Sequence, residues 1–171
     1  MSPRYSRRRF LQRTVASAGV AALTTLSGAP YALGRHLSSD KLRVAVIGAG
    51  GMGGYSVGCA LSENLVALVD VDDNIIATTM RDTVRDQATP KIFHDYRKMF
   101  DECHKDLDVV LIATPDHHHA PAAIRAIHYG KHVFCQKPLA HNIAECYALA
   151  KAARENNVLT QMGNQGYCGE G

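Results

Sequence analysis

The sequence predicts a doubly wound α/β domain built on a parallel sheet. Three observations predict it. From Lys41 onward, short apolar or β-branched runs alternate with helix-like segments; a glycine-rich turn follows the first run; and chemically useful side chains recur just past the ends of later runs. The expected strands are residues 42–47, 65–69, 91–93, 108–113, 132–135 and 158–161, each short and bounded by turn or helix signals. Between them, residues 121–129 carry a helical pattern that closes on Gly130, a residue type that favours helix ends. Residues 142–156 carry a clearer one: Ile143, Cys146, Tyr147, Ala150 and Ala153 recur at intervals of three or four and form an apolar stripe. Asn142 with Glu145 three residues on resembles a capping box at its start.

The first 40 residues have a different character. Arg4, Arg7, Arg8, Arg9 and Arg13 crowd the start with no acid before Asp40, and without those five the 19 basic residues no longer outnumber the 16 acidic ones. The formal charge of +3 therefore belongs to the N-terminus, and the body has no basic stripe for nucleic acid. With no Trp it has little stacking surface either. A charged start, a weakly apolar stretch at 14–26 and the small residues Gly28 and Ala29 have the order of an export signal. The paired arginines followed by Phe10 and Leu11 resemble a twin-arginine signal, which implies residues 1–32 as a signal peptide cleaved after Ala32 and delivery to the bacterial periplasm. The apolar stretch is too short for the roughly 20 residues that a membrane span requires, so no stable span is expected. Residues 33–40 read as a linker, and residues 41–163 as the folded domain.

The first strand leads into Gly48, Ala49, Gly50, Gly51, Met52 and Gly53, a GxGxxG pattern. Alone it is a common turn. Here it follows an apolar strand, opens a helical segment and precedes a second strand that ends in Asp70. Gly48 permits the tight turn, Gly50 lets the backbone approach a pyrophosphate, and Gly53 lets helix and strand pack closely. The helix start presents free N–H groups to phosphate, and Asp70 is placed to accept from a ribose diol and to repel a 2′-phosphate, which favours NAD over NADP.

At the end of the fourth strand stand Thr114, Pro115, Asp116, His117, His118 and His119. Consecutive histidines in a turn point in different directions and lack an acidic or cysteine partner at ligand spacing, so no metal site is expected. The segment reads as a ligand-facing loop at the carboxyl edge of the sheet, or as a solvated one. Five cysteines, with no CxxC spacing, argue against both zinc and a disulfide framework. Lys137 and Pro138 follow the fifth strand, at the same edge as the glycines. A lysine there either stabilises developing charge on a substrate oxygen or decorates the surface.

Taken together, the strings GAGGMGG, ALVDVD, LIATPDHHHAP, GKHVFCQKPLA and QMGNQGY, in that order, resemble the nucleotide-binding domain of the Gfo/Idh/MocA oxidoreductases. The resemblance implies an NAD-binding domain of Rossmann type, hydride transfer on a sugar or polyol, and Lys137 with Pro138 beside the nicotinamide and substrate. Gln136 stands where that family usually has Glu. Gly48, Gly50, Gly51, Met52, Gly53, Asp70, Thr114, Pro115, His117, His119, Lys137, Pro138 and Asn164 form the expected cofactor set, with Lys137 as the expected catalytic residue. The family continues into a second α/β domain that forms the substrate site and the homo-oligomer contact. Residues 164–171 are expected to begin the connection to it, leaving this chain as the cofactor part of such an enzyme. Two alternatives share the motifs: a nucleotide-binding module without catalysis, and the cofactor part of an NAD-dependent glycosidase-like relative.

Overall fold

A computed structural model describes residues 41–164. The predicted signal and linker, the expected connection after Asn164, and Cys168 lie outside the described residues. Within them the order is β1 (Arg43–Ile47), α1 (Met52–Ala60), β2 (Asn64–Val69), α2 (Asp73–Thr79), β3 (Lys91–Phe93), α3 (Tyr96–Cys103), β4 (Val109–Ile112), α4 (His119–His128), β5 (His132–Gln136), α5 (Ile143–Glu155) and β6 (Thr160–Gly163). The six strands pair in the order β3-β2-β1-β4-β5-β6, all parallel. The chain winds outward from β1 to β3, then crosses back to β4 and winds the other way, so β1 and β4 flank the reversal point.

Alternation along the strands assigns the two faces. Ala45, Ile47, Val110, Ile112, Val133 and Cys135 point to the face covered by α3, α4 and α5. Val44 and Val46 point to the other, under Val57 and Ala60 of α1 and Val84 beyond α2. Leu65 and Leu68 share that second face despite their odd spacing, because the register between β1 and β2 shifts beside them and absorbs one residue. On β4, Val109 and Leu111 of this second face pack beside α1, and further on the face opens over β5 and β6. Leu111, Phe134 and Met162 there line a hollow of about 300 Å³ beside Tyr55 and Cys59 of α1.

Two sequence expectations shift. β6 starts at Thr160 rather than 158, because Val158 is used to end α5: Asn157 adopts φ 51° and the Val158 N–H donates to the Ala153 carbonyl at 3.1 Å. The apolar Val158 then packs on the core from a helix end instead of from a strand. The stripe expected on α5 is also offset. Ile143, Tyr147 and Ala150 are exposed, while Leu149 and Ala152 are buried with Cys146 and Ala153 beside them. A 13-residue helix that is small and apolar on several sides gives no unique stripe, and packing against α4 selects the Leu149 side. The cap is present in modified form: Asn142 Oδ1 accepts from the Glu145 N–H at 3.0 Å, and Glu145 Oε2 accepts from His141 rather than from Asn142.

Helix α4 ends as its sequence suggests. Gly130 takes φ 70°, its N–H donates to the Ile127 carbonyl, and the Lys131 N–H donates to that of Ala126. Cys103 and Cys135 are buried, and burial pushes the Cys135 thiol up to about 12. Cys146 is half-buried.

Candidate functional site

The carboxyl ends of β1, β2, β3 and β4 open into a cleft of about 620 Å³. Its floor is the turn from β1 to α1. The Gly48 N–H donates to the Val69 carbonyl at 2.8 Å, and the Ala49 N–H donates to Asp70 Oδ2 at 2.7 Å, so the turn is fastened to the end of β2. Gly48 takes φ 88°, and a Cβ there would lie 2.6 Å from the Ala113 carbonyl oxygen. On Gly53 a Cβ would collide with the carbonyl of Gly48. These two glycines are required by the chain itself, because the turn, α1 and the end of β4 meet backbone to backbone.

Gly50 is different. A Cβ there would meet only the side chain of Ile75, at an ordinary 3.5 Å, and would project from a residue that lines the cleft. Nothing in the fold needs a glycine at that position; a ligand approaching the backbone does. The helix start agrees. Gly51 is the N-cap of α1, with no side-chain capping bond, and the first turn holds no acid. Among the described residues its positive end thus has neither a side-chain cap nor a first-turn acid, and it suits a phosphate. Met52, the first residue of α1, is exposed.

Asp70 stands at the end of β2 in the cleft wall. Oδ2 accepts from Ala49 and Oδ1 from the Asp72 N–H at 3.1 Å. A carboxylate offers about four acceptor positions, so two remain for an outside donor. Arg97 is the one cationic Lys or Arg among the described cleft-lining residues, and it is paired with Asp95 at 2.8 Å. That pairing holds the Asp95 carboxyl below the usual carboxylate range and raises Arg97.

The opposite wall comes from the loop after β4. Thr114, Pro115, His117 and His118 line it. Thr114 Oγ1 is buried and has no hydrogen-bond partner among the described residues, an unused polar atom at the cleft wall. The three histidines diverge. His117 and His118 face the cleft, with His118 edge-on to Tyr96 at 5.4 Å, while His119 is buried behind the wall. Among the described residues, no three His, Cys, Asp or Glu side chains converge as metal ligands.

The remaining expected residues lie further along the sheet edge. Lys137 and Pro138 are exposed beyond β5, joined by a cis peptide bond, and do not line the cleft. The Lys137 N–H donates to the Gly163 carbonyl at 3.2 Å, the last link between β5 and β6. Asn164 lies on the hollow beside α1 rather than in the cleft. Gln136 is buried at 4% exposure, where a neutral amide avoids the cost of enclosing a carboxylate. The cleft lining therefore includes Gly48, Gly50, Asp70, Thr114, Pro115 and His117 of the expected set, and leaves Gly51, Met52, Gly53, His119, Lys137, Pro138 and Asn164 outside it. Sequence reasoning missed His118, Tyr96, Asp95 and Arg97. The rule that picked out the ends of β1, β2 and β4 also applies to the end of the three-residue β3, just before Asp95.

Comparison with known proteins agrees with this geometry. Residues 42–164 match the Gfo/Idh/MocA family, described as an oxidoreductase family with an NAD-binding Rossmann fold, and the chain belongs to that family. A glycosyl hydrolase family 109 protein of Solibacter usitatus is 30% identical over 156 residues, covering 77% of this chain and 34% of the relative. Levoglucosan dehydrogenase of Pseudarthrobacter phenanthrenivorans is 43% identical over 65 residues, covering 38% of this chain and 16% of the relative. The crystal structure of myo-inositol 2-dehydrogenase from Lactobacillus plantarum superposes with a TM-score of 0.61 at 27% identity, covering 72% of this chain and 36% of that one. The chain thus spans about a third of these proteins' length at most.

The glycines separate by cause. Gly53→Ala and Gly48→Ala are expected to destabilise the domain by about 1–3 kcal/mol, as overpacking does, whereas Gly50→Ala leaves the melting temperature unchanged. Thermal unfolding of the three variants checks this, and equal losses in all three would remove the ligand-based reason for Gly50.

Proposed function

We propose that this chain is the NAD-binding part of an oxidoreductase that transfers hydride to or from a sugar or polyol. The observation that carries the reading is the glycine turn, which lines the cleft with Gly48 and Gly50 just ahead of the uncapped α1 and is bonded to Asp70 of the same lining. The α1 N–H groups hold the pyrophosphate, Gly50 admits it, and the free acceptor positions of Asp70 take the adenosine ribose hydroxyls. Thr114 Oγ1 gains in the bound cofactor the partner that the described residues do not provide. NAD, when bound, supplies the hydride acceptor. Lys137 donates a hydrogen bond to the substrate oxygen and stabilises the negative charge that develops there.

The same arrangement favours NAD over NADP. A 2′-phosphate would meet the Asp70 carboxylate, and Arg97, the guanidinium on the cleft wall, is already engaged with Asp95. A second reading, NAD-dependent removal of a glycosyl group, is favoured by the match to the Solibacter usitatus protein across 77% of this chain. Assaying hydride transfer with inositols and release from aryl glycosides side by side separates the two.

Calorimetry tests the cofactor assignment. The chain is expected to bind NAD more tightly than NADP, and Asp70→Ala to lose about 1.5–3 kcal/mol of NAD binding with the preference narrowed. Equal binding of both cofactors, unchanged in the variant, would overturn the ribose assignment. Export by the twin-arginine route is proposed on sequence grounds alone, from Arg7, Arg8, Phe10 and Leu11. Replacing Arg7 and Arg8 by lysine is expected to keep a reporter fusion inside the cell, and continued export would refute that route.

A further inference from the structure

His119 begins α4 at the point where β4 and β5 both end, and it is 1% exposed. Both ring nitrogens face carbonyl oxygens, which only accept, so a neutral ring with its single N–H donates to one of them and only the doubly protonated ring donates to both. Nδ1 lies 2.6 Å from the Pro138 carbonyl oxygen, and Nε2 lies 2.8 Å from that of Thr114. The two carbonyls belong to different loops, past the last residues of β5 and β4, where the sheet ladder no longer supplies donors. One imidazole thus joins the segment that carries Lys137 to the segment that carries Thr114 and the cleft-facing histidines.

The other links of the Lys137 loop are weak or distant. The Cys135 thiol reaches the Leu139 carbonyl only at 3.9 Å, and the His141 N–H is held by Glu145 at the far end of the loop, at the start of α5. On the near side, the Lys137 N–H holds the backbone to β6, away from the cleft. His119 is therefore the short polar tie that fixes the loop towards the cleft side. A ring present only to fill space would bury at less cost as an apolar one, since each buried ring nitrogen must regain the hydrogen bond it gives up to water.

We propose that His119 is a positioning residue that holds Lys137 in register with the cofactor cleft. It does so through the Pro138 and Thr114 carbonyls, without touching cofactor or substrate itself. The inference rests on the reading of the cleft as an NAD site with Lys137 at its substrate end. It also accounts for a histidine that the sequence placed among the cofactor contacts and the structure places behind the wall.

The test uses the 171-residue chain and the variants His119→Phe, which keeps the ring and removes both nitrogens, and His119→Gln, which keeps one donor group. Three quantities are read: NAD affinity, the slowing of Lys137 reductive methylation by saturating NAD, and hydrogen exchange at residues 139–141. In the unmodified chain NAD is expected to protect Lys137. In His119→Phe, NAD affinity is retained because the glycine turn and Asp70 are untouched, the protection is lost, and the 139–141 amides exchange faster. His119→Gln recovers part of both effects, and it carries the comparison if the Phe variant does not fold. A variant that binds NAD with full protection of Lys137 and unmodified exchange would overturn the proposal. If the unmodified chain shows no NAD-dependent protection, the cofactor reading fails on its own. The exchange rates without NAD then decide the tie, with unchanged rates refuting it.

Discussion

The close crossing of the β1–α1 turn over the end of β4 is the constraint on which the rest of the site depends. Gly48 has no room for a Cβ against the Ala113 carbonyl, and Gly53 has none against Gly48 itself. Because these backbones touch, α1 starts at the carboxyl ends of β1 and β4, where the strand order reverses. The Gly48 bond to Val69 and the Ala49 bond to Asp70 then lock the end of β2 to the same turn. One geometric fact thus aims a helix dipole, shapes the cleft floor and orients the acidic residue bonded to the turn.

Among the described residues, two unmet demands lie beside the cleft at the ends of β1 and β4. The first turn of α1 has no capping side chain and no acid, and Thr114 Oγ1 is buried without a partner. Such groups cost stability in the chain by itself and recover it when a ligand supplies the missing partner. Further along the edge, His119 lies between the Pro138 and Thr114 carbonyls, and Gln136 is enclosed as a neutral amide. The sheet edge therefore divides into a receptive part over β1, β2 and β4 and a braced part over β5 and β6, with Lys137 on the braced side.

The receptive part was legible in the sequence because its requirements are local. A tight turn, a close approach and a helix start demand glycine at fixed spacings, and a strand end sets the place of Asp70, so Gly48, Gly50, Gly53 and Asp70 stand out without coordinates. His119 was legible as a residue but not in its role, since adjacent histidines give no sign of which one turns inward. Burial of His119 depends on where α4 begins relative to the loop after β5, a contact across 19 residues. The α5 stripe and the start of β6 were misplaced for a related reason. Small apolar residues surround that helix, and only packing against α4 and the cap at Asn157 decide which of them are covered. Tyr96 and Arg97 were missed although residues 91–93 read as a strand, because they sit on the first turn of α3 rather than at the strand end itself. The arginine-rich start lies outside the described residues, so its role rests on sequence alone.

The central claim is that the cleft floored by the glycine turn is the cofactor site. Amide chemical-shift mapping of the labelled chain during an NAD titration tests it most directly. The account predicts that saturable shifts concentrate at Ala49 to Gly53, Asp70, Thr114 and His117, with the hollow beside Tyr55 and Met162 largely silent. Shifts centred on that hollow, or none on the glycine turn at saturating NAD, would contradict it.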